Sequence, residues 1–170
     1  KRKSSGPSRC EPAVSKANGA PYTGLTPDAI LNALESVGLV CDGRLLALNS
    51  YENRVYQVGI EDSPPVVAKF YRPGRWSDAA ILEEHAFIAQ LAEREIPAVP
   101  ALKLAGATLH THAGFRFAVF PRQGGRAPEI DAPGVREWLG RFIGRIHAVG
   151  ATEKFHERPT LDIVSFGEAP

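Results

Sequence analysis

The spacing of apolar positions divides the chain into segments of different character. Residues 1–20 are rich in Ser, Pro, Lys and Gly and hold few large apolar groups. Such a stretch buries too little surface to offset its ordering entropy, so a disordered tail is expected there. From Thr26 onward, Ile30, Leu31, Leu34 and Val37 recur at helical spacing. Thr26 can cap that helix, Pro27 suits its first position, Asp28 favours the positive end of its dipole, and Gly38 ends it. Three strands are expected next: Leu45–Leu48, then Arg54–Ile60 after the polar turn Asn49–Asn53, then Val66–Tyr71. The turn between the last two is read as Glu61, Asp62, Ser63, Pro64 and Pro65. Ser77 or Asp78 caps a long helix to about Arg94, with Ala80, Leu82, Phe87, Ile88 and Leu91 as its apolar positions.

Pro97 and Pro100 bound an extended connector. Leu102–Leu104 and Phe115–Phe120 read as two further strands around a turn containing Gly106, and a loop with Gly124 and Gly125 follows. Pro133 then opens a helix carrying Trp138, Leu139, Phe142, Ile143 and Ile146. The order predicts an α+β fold: a five-stranded antiparallel sheet with one main packed helix, a helix before it and another after a flexible link.

Composition narrows the function classes. The 170 residues suffice for a proper core. The net charge is +1, but residues 1–20 alone carry +4, leaving the rest slightly acidic. A folded nucleic-acid binder would show a basic face, so that class is set aside. Cys10 and Cys41 form no Cys-x-x-Cys spacing, which argues against zinc and fits a reducing cytoplasm. No apolar run approaches the roughly 18 residues needed to cross a membrane. The basic start is followed by Ser, Gly and Pro, unlike a signal peptide. There is no Met, and the chain ends on Ser165–Pro170 directly after an apolar stretch, so a fragment is expected.

Lys69 is the most informative residue. It stands in the apolar run Val66-Val67-Ala68-Lys69-Phe70. A Lys in a core costs several kcal/mol unless paired, roughly 3–5 when one partner is removed. The plain alternative is a solvent-facing Lys on a half-exposed strand. A strand of this kind between a strand-turn-strand and a helix is the arrangement of kinase-type folds, where the Lys holds nucleotide phosphates and a helix carboxylate orients it. The helix offers Glu83 and Glu84. Glu84 is preferred because it lies three residues before Phe87 and seven before Leu91, while Glu83, four before Phe87, stays open.

The turn Asn49–Asn53 would cover the phosphates, with the Ser50 hydroxyl and Asn53 as candidates, though it has no glycine. Phe117–Pro121 would be the hinge strand, with Val55, Ala68 and Phe120 as candidates to sandwich an adenine or simply to pack the core. His110 and His112 share a face but have no third ligand nearby, so they read as surface residues. His147 ends the last helix, where a cation suits the dipole, and His85 is expected on the surface of its helix.

Longer phrases carry a resemblance. Leu48-Asn49-Ser50-Tyr51-Glu52-Asn53-Arg54-Val55-Tyr56, Val67-Ala68-Lys69-Phe70-Tyr71-Arg72-Pro73, Ile81-Leu82-Glu83-Glu84-His85 and Phe117-Ala118-Val119-Phe120-Pro121 resemble the stress response kinase A family. These are bacterial Ser/Thr protein kinases of the aminoglycoside phosphotransferase/choline kinase superfamily. Arg75-Trp76, Gly124-Gly125-Arg126 and Leu139–His147 are also similar, and the resemblance covers roughly Thr26 to Thr160. It implies a protein-kinase-like amino-terminal lobe over 21–121, a hinge or linker over 122–132 and the start of a truncated carboxy-terminal lobe over 133–170. It implies that ATP is gripped by Ser50, Asn53, Val55, Lys69, Glu84 and Phe120, with Glu84 pairing Lys69. It further implies transfer of the γ-phosphoryl of ATP to protein hydroxyls, with Mg²⁺, in the cytoplasm, by a monomeric parent in stress response.

The family's His-Gly-Asp-x-His-x-x-Asn loop and its later metal-binding Asp are absent from the sequence. No catalytic base or metal ligand is therefore assigned, and the 170-residue piece is expected to be inactive alone. A small-molecule kinase of the aminoglycoside, choline or homoserine type is the first alternative. A non-catalytic nucleotide- or partner-binding regulatory module is the second. An exposed seam on the last helix is expected to make the piece self-associate.

Overall fold

The computed structural model of the chain describes residues 21–164. The tail expected at 1–20 lies outside the described residues. Three helices and five strands follow in the order α1 (Pro27–Glu35), β1 (Cys41–Leu48), β2 (Arg54–Ile60), β3 (Ser63–Phe70), α2 (Asp78–Glu93), β4 (His110–His112), β5 (Phe115–Pro121) and α3 (Val135–Gly150). Thr26 caps α1, its Oγ1 accepting from the Ala29 amide at 3.2 Å. Ser77 caps α2 in the same way, accepting from the Ala80 amide at 3.0 Å. Each cap satisfies one of the amides that a helix start leaves without an intrahelical partner.

The strands form one antiparallel sheet in the order β1-β2-β3-β5-β4. Alternation then gives the sheet two covered faces. On one, Val58, Ala68, Phe70, Phe117 and Val119 pack with Ile30, Ala33 and Leu34 of α1. The Phe70 and Phe117 rings stack there, 5.4 Å apart and 24° off parallel. On the other face, Tyr71 and Ala118 bury Ile81 of α2. A third cluster of Leu91, Ile96 and Val149 ties α2 to α3.

Several expected boundaries move. Strand β1 begins at Cys41 instead of Leu45, with a register irregularity between those residues that accommodates the polar Asp42, Gly43 and Arg44. Pro64 and Pro65 belong to β3, not to the preceding turn. They lie beyond the end of β5, which pairs with β3 only from Val66 onward, so the missing amides cost no bonds to β5. The tight turn is made by Glu61 and Asp62, with Asp62 at a φ of 52°. The fourth strand is His110–His112, not Leu102–Leu104. The latter stretch has one isolated bridge, Leu104 to Ala107, and its Leu102 amide donates to the Val119 carbonyl at 2.7 Å. Helix α3 starts two residues after Pro133, behind Gly134 at a φ of 79°.

The core side of α2 also differs from the reading of its sequence. Ala80, Ile81, His85 and Leu91 are buried, whereas Leu82 is exposed. The helix is clamped between the sheet at its start and α3 at its end. At 3.6 residues per turn its four buried positions lie within an arc of about 140°, and Leu82 falls outside that arc.

Candidate functional site

Antiparallel pairing sets the geometry of the site. Val55 of β2, Lys69 of β3 and Ala118 of β5 are cross-strand neighbours, so their side chains share a sheet face. Two residues earlier on β3, Val67 stands on that same face between Gln57 and Phe120. Ala68 does not. It is fully buried on the opposite face against α1, which removes it from the residues that could flank a ligand beside Lys69. Val67 takes its place, and period-two alternation counted from Lys69 is the signal that finds it.

Helix α2 crosses this face and brings Glu84 to Lys69. The Lys69 Nζ lies 3.1 Å from Glu84 Oε1, with 23% and 26% of the two side chains exposed. The pair is thus neither sealed in the core nor free in solvent. Glu83, the other candidate, turns away from Lys69. Its carboxylate accepts the backbone amides of His156 at 2.5 Å and of Glu157 and Arg158 at 3.1 Å. The His156 amide first, then those of Glu157 and Arg158, holds the Glu83 carboxyl below its ordinary pKa.

Behind the pair lies a polar network around His85, a residue that sequence reading placed on the surface of its helix. His85 is 5% exposed. Its Nε2 is 2.7 Å from the Tyr71 hydroxyl and its Nδ1 is 2.9 Å from the Thr108 hydroxyl. Burial pushes the Tyr71 hydroxyl pKa up, reinforced by the Glu84 charge, and burial pushes that of His85 down. Lys69 Nζ sits 4.7 Å from the Tyr71 ring centroid. Phe120 meets the His85 ring edge-on at 6.2 Å. The network fixes the floor beneath the ion pair, and neither periodicity nor composition signals it.

The turn Asn49–Asn53 is held by side chains in place of glycines. The Ser50 hydroxyl donates to the Asn53 carbonyl at 2.7 Å, and Asn53 Oδ1 accepts the Arg72 amide at 3.2 Å. Glu52 accepts from the Trp76 indole N–H at 3.1 Å and from Arg75 at 3.3 Å, while the Tyr22 hydroxyl donates to the Glu52 carbonyl at 2.8 Å. The turn is therefore anchored to the β3–α2 connection. Tyr51 stands fully exposed at its tip.

A cavity of about 340 Å³ lies elsewhere, between α2 and the segment after α3, lined by Phe87, Gln90, Val149 and Phe155. Glu83 and His156 also line it, whereas Lys69 and Phe120 do not. Among the described residues, no group of three or more His, Cys, Asp or Glu could hold a metal ion.

Comparison with known proteins identifies a family and a fold. The profile of the phosphotransferase enzyme family matches residues 44–164. Stress response kinase A of Escherichia coli (strain K12) is 48% identical over 139 residues, covering 82% of this chain and 42% of that protein. The serine/threonine protein kinase RdoA of Salmonella typhimurium (strain LT2) is 42% identical over 149 residues, covering 88% of this chain and 45% of that protein. The chain thus spans less than half the length of these curated relatives. The solved structure of amicoumacin kinase hAmiN, in complex with AMP-PNP, Ca²⁺ and Ami, superposes with a TM-score of 0.63 at 24% identity, covering 75% of this chain and 41% of that one. This likeness concerns the fold: a kinase-like amino-terminal lobe preceded by α1 and followed by α3.

Proposed function

The chain belongs to the phosphotransferase enzyme family, and from that premise we propose that it is the nucleotide-gripping half of a Ser/Thr protein kinase. The observation that carries the reading is the half-buried Lys69–Glu84 pair on a sheet face flanked by Val55, Val67 and Phe120. In this reading Lys69 donates to the phosphate oxygens of ATP, and Glu84 holds the ammonium in place so that little ordering entropy remains to be lost on binding. Val55, Val67 and Phe120 flank the adenine. Ser50 and Asn53 shape the turn above the phosphates through the bond from the Ser50 hydroxyl to the Asn53 carbonyl, and the backbone amides of the turn supply donors to phosphate oxygens.

Similarity to relatives named as stress response and serine/threonine protein kinases supports a protein hydroxyl as the acceptor. The fold likeness to amicoumacin kinase supports the second reading, a small-molecule kinase. Phosphoryl transfer draws on positioning and charge neutralisation around the whole γ-phosphoryl. No residue of this chain is assigned as base or as Mg²⁺ ligand, so the 170-residue chain is proposed to bind ATP and to transfer nothing.

Calorimetric titration with ATP tests the reading. Micromolar binding to the chain, weakened at least about tenfold by Lys69→Ala, is the expected result (roughly 1.4 kcal/mol or more). Absence of ATP binding would reject it. Phosphorylation of a protein substrate but not of a panel of small alcohols by the full-length protein is expected. The reverse preference would favour the second reading.

A further inference from the structure

Glu84 does not serve Lys69 alone. Its other carboxylate oxygen, Oε2, pairs with the Arg158 guanidinium, and Arg158 comes from the segment that follows α3. The same guanidinium lies over the Trp76 ring, 4.4 Å from its centroid. Trp76 in turn donates its indole N–H to Glu52 in the turn that contains Ser50. One arginine thus contacts the carboxylate that orients Lys69 and the aromatic ring that anchors the phosphate-side turn.

The segment is also docked independently of that side chain. Glu83 accepts three successive amides, those of His156, Glu157 and Arg158. Adjacent helix residues point about 100° apart, so Glu83 and Glu84 grip the segment from two directions, one by its backbone and one by its side chain. A carboxylate bonded to one flexible ammonium keeps rotational freedom about its terminal torsion. Engaging both oxygens with two different cations removes that freedom, and charge-assisted bonds of this kind are the stronger ones. Only about a quarter of the Arg158 side chain is exposed, so salt screens the contact less than it would a surface pair.

We propose that Arg158 is a positioning residue for the nucleotide site: docked on α2 through Glu83, it sets the plane of the Glu84 carboxylate and ties it, through Trp76, to the turn over the phosphates. The segment 156–158 then works as a latch whose seating decides how well Lys69 is presented. This deepens the ATP-binding reading and rests on it.

The test combines calorimetry with hydrogen exchange on the 170-residue chain. Arg158→Ala is expected to weaken ATP binding about 5-fold or more, with partial recovery in Arg158→Lys. Because Arg158 acts through Glu84 and Lys69, the double variant Arg158→Ala/Lys69→Ala should bind no more weakly than Lys69→Ala alone. Amides of α2 around Ile81–Phe87 should exchange faster in both Arg158→Ala and Glu83→Gln. If Arg158→Ala fails to fold, Arg158→Lys and Glu83→Gln carry the same readouts. An ATP affinity that Lys69→Ala abolishes but Arg158→Ala leaves unchanged would overturn the latch while sparing the nucleotide site. Additive losses in the double variant would also overturn it. No ATP binding by the unsubstituted chain would defeat the nucleotide reading and the positioning role with it, and unchanged α2 exchange would reject the dock itself.

Discussion

At the scale of single residues, chemistry out of place was the most legible signal. A lysine inside Val66–Phe70 either faces solvent or needs a partner, and the kinase-type order of elements narrowed that partner to two adjacent glutamates. Only packing separates them, because Glu83 and Glu84 differ by one helical step and each finds donors. His85 shows the opposite case. Nothing in its neighbours announces burial, yet it is enclosed between Tyr71, Thr108 and Phe120. Its folded pKa is depressed from the ordinary 6.5 by burial and by Lys69 and His110, against an opposing pull from Glu84. The unfolded chain therefore binds the proton more readily. The stability tied to neutral His85 is complete above about pH 6.5 and is lost as pH falls through the depressed value. His110, also depressed by burial, adds in the same direction. Melting temperature should fall below about pH 6.5, and His85→Gln and His110→Gln should each flatten the slope. Profiles identical to that of the unsubstituted chain would contradict this assignment.

At the scale of elements, strands with clear alternation and helices with clear caps were readable. Strand β2 spans Arg54–Ile60, the stretch its alternation marks, and α1 and α2 begin behind Thr26 and Ser77. Errors fell where a local signal had a tertiary answer. Two prolines suggest a turn, but β3 tolerates them where β5 no longer reaches. Leu102–Leu104 is apolar enough for a strand, but β5 pairs instead with the more polar His110–His112 through a short hairpin. Helix α2 is the element on which the site depends most, since it carries Glu83 and Glu84 and packs on both the sheet and α3. Ser77→Ala removes its capping acceptor and should destabilise the chain by about 1 kcal/mol, read from urea unfolding, with Ser77→Asp near the original value. A loss within error for Ser77→Ala would show that the cap is dispensable.

At the scale of the whole molecule, the sheet has a core on each face, but the far side of α3 does not. Trp138 and Ile143 of α3, and Leu161, Ile163 and Val164 of the segment after it, are half or more exposed. Apolar surface of this kind favours association, so the separate chain should show a concentration-dependent mass in light scattering, reduced by Trp138→Ser with Ile143→Ser. A monodisperse monomer at high concentration would contradict this. Among the described residues no helix is long and apolar enough to cross a membrane. The sequence by itself determined the α+β order, the Thr26 cap and a choice of Ser77 or Asp78 for the second, the central lysine and the short list of its partners, because propensity, periodicity and isolated charge are local properties. Only the tertiary structure decided that Glu84 meets Lys69, that His85 is buried, and that Arg158 reaches back across 74 residues to the same carboxylate. Those depend on register and on helix rotation. A shift of one residue moves a side chain to the other face of a strand or about 100° around a helix, and only long-range packing fixes that choice.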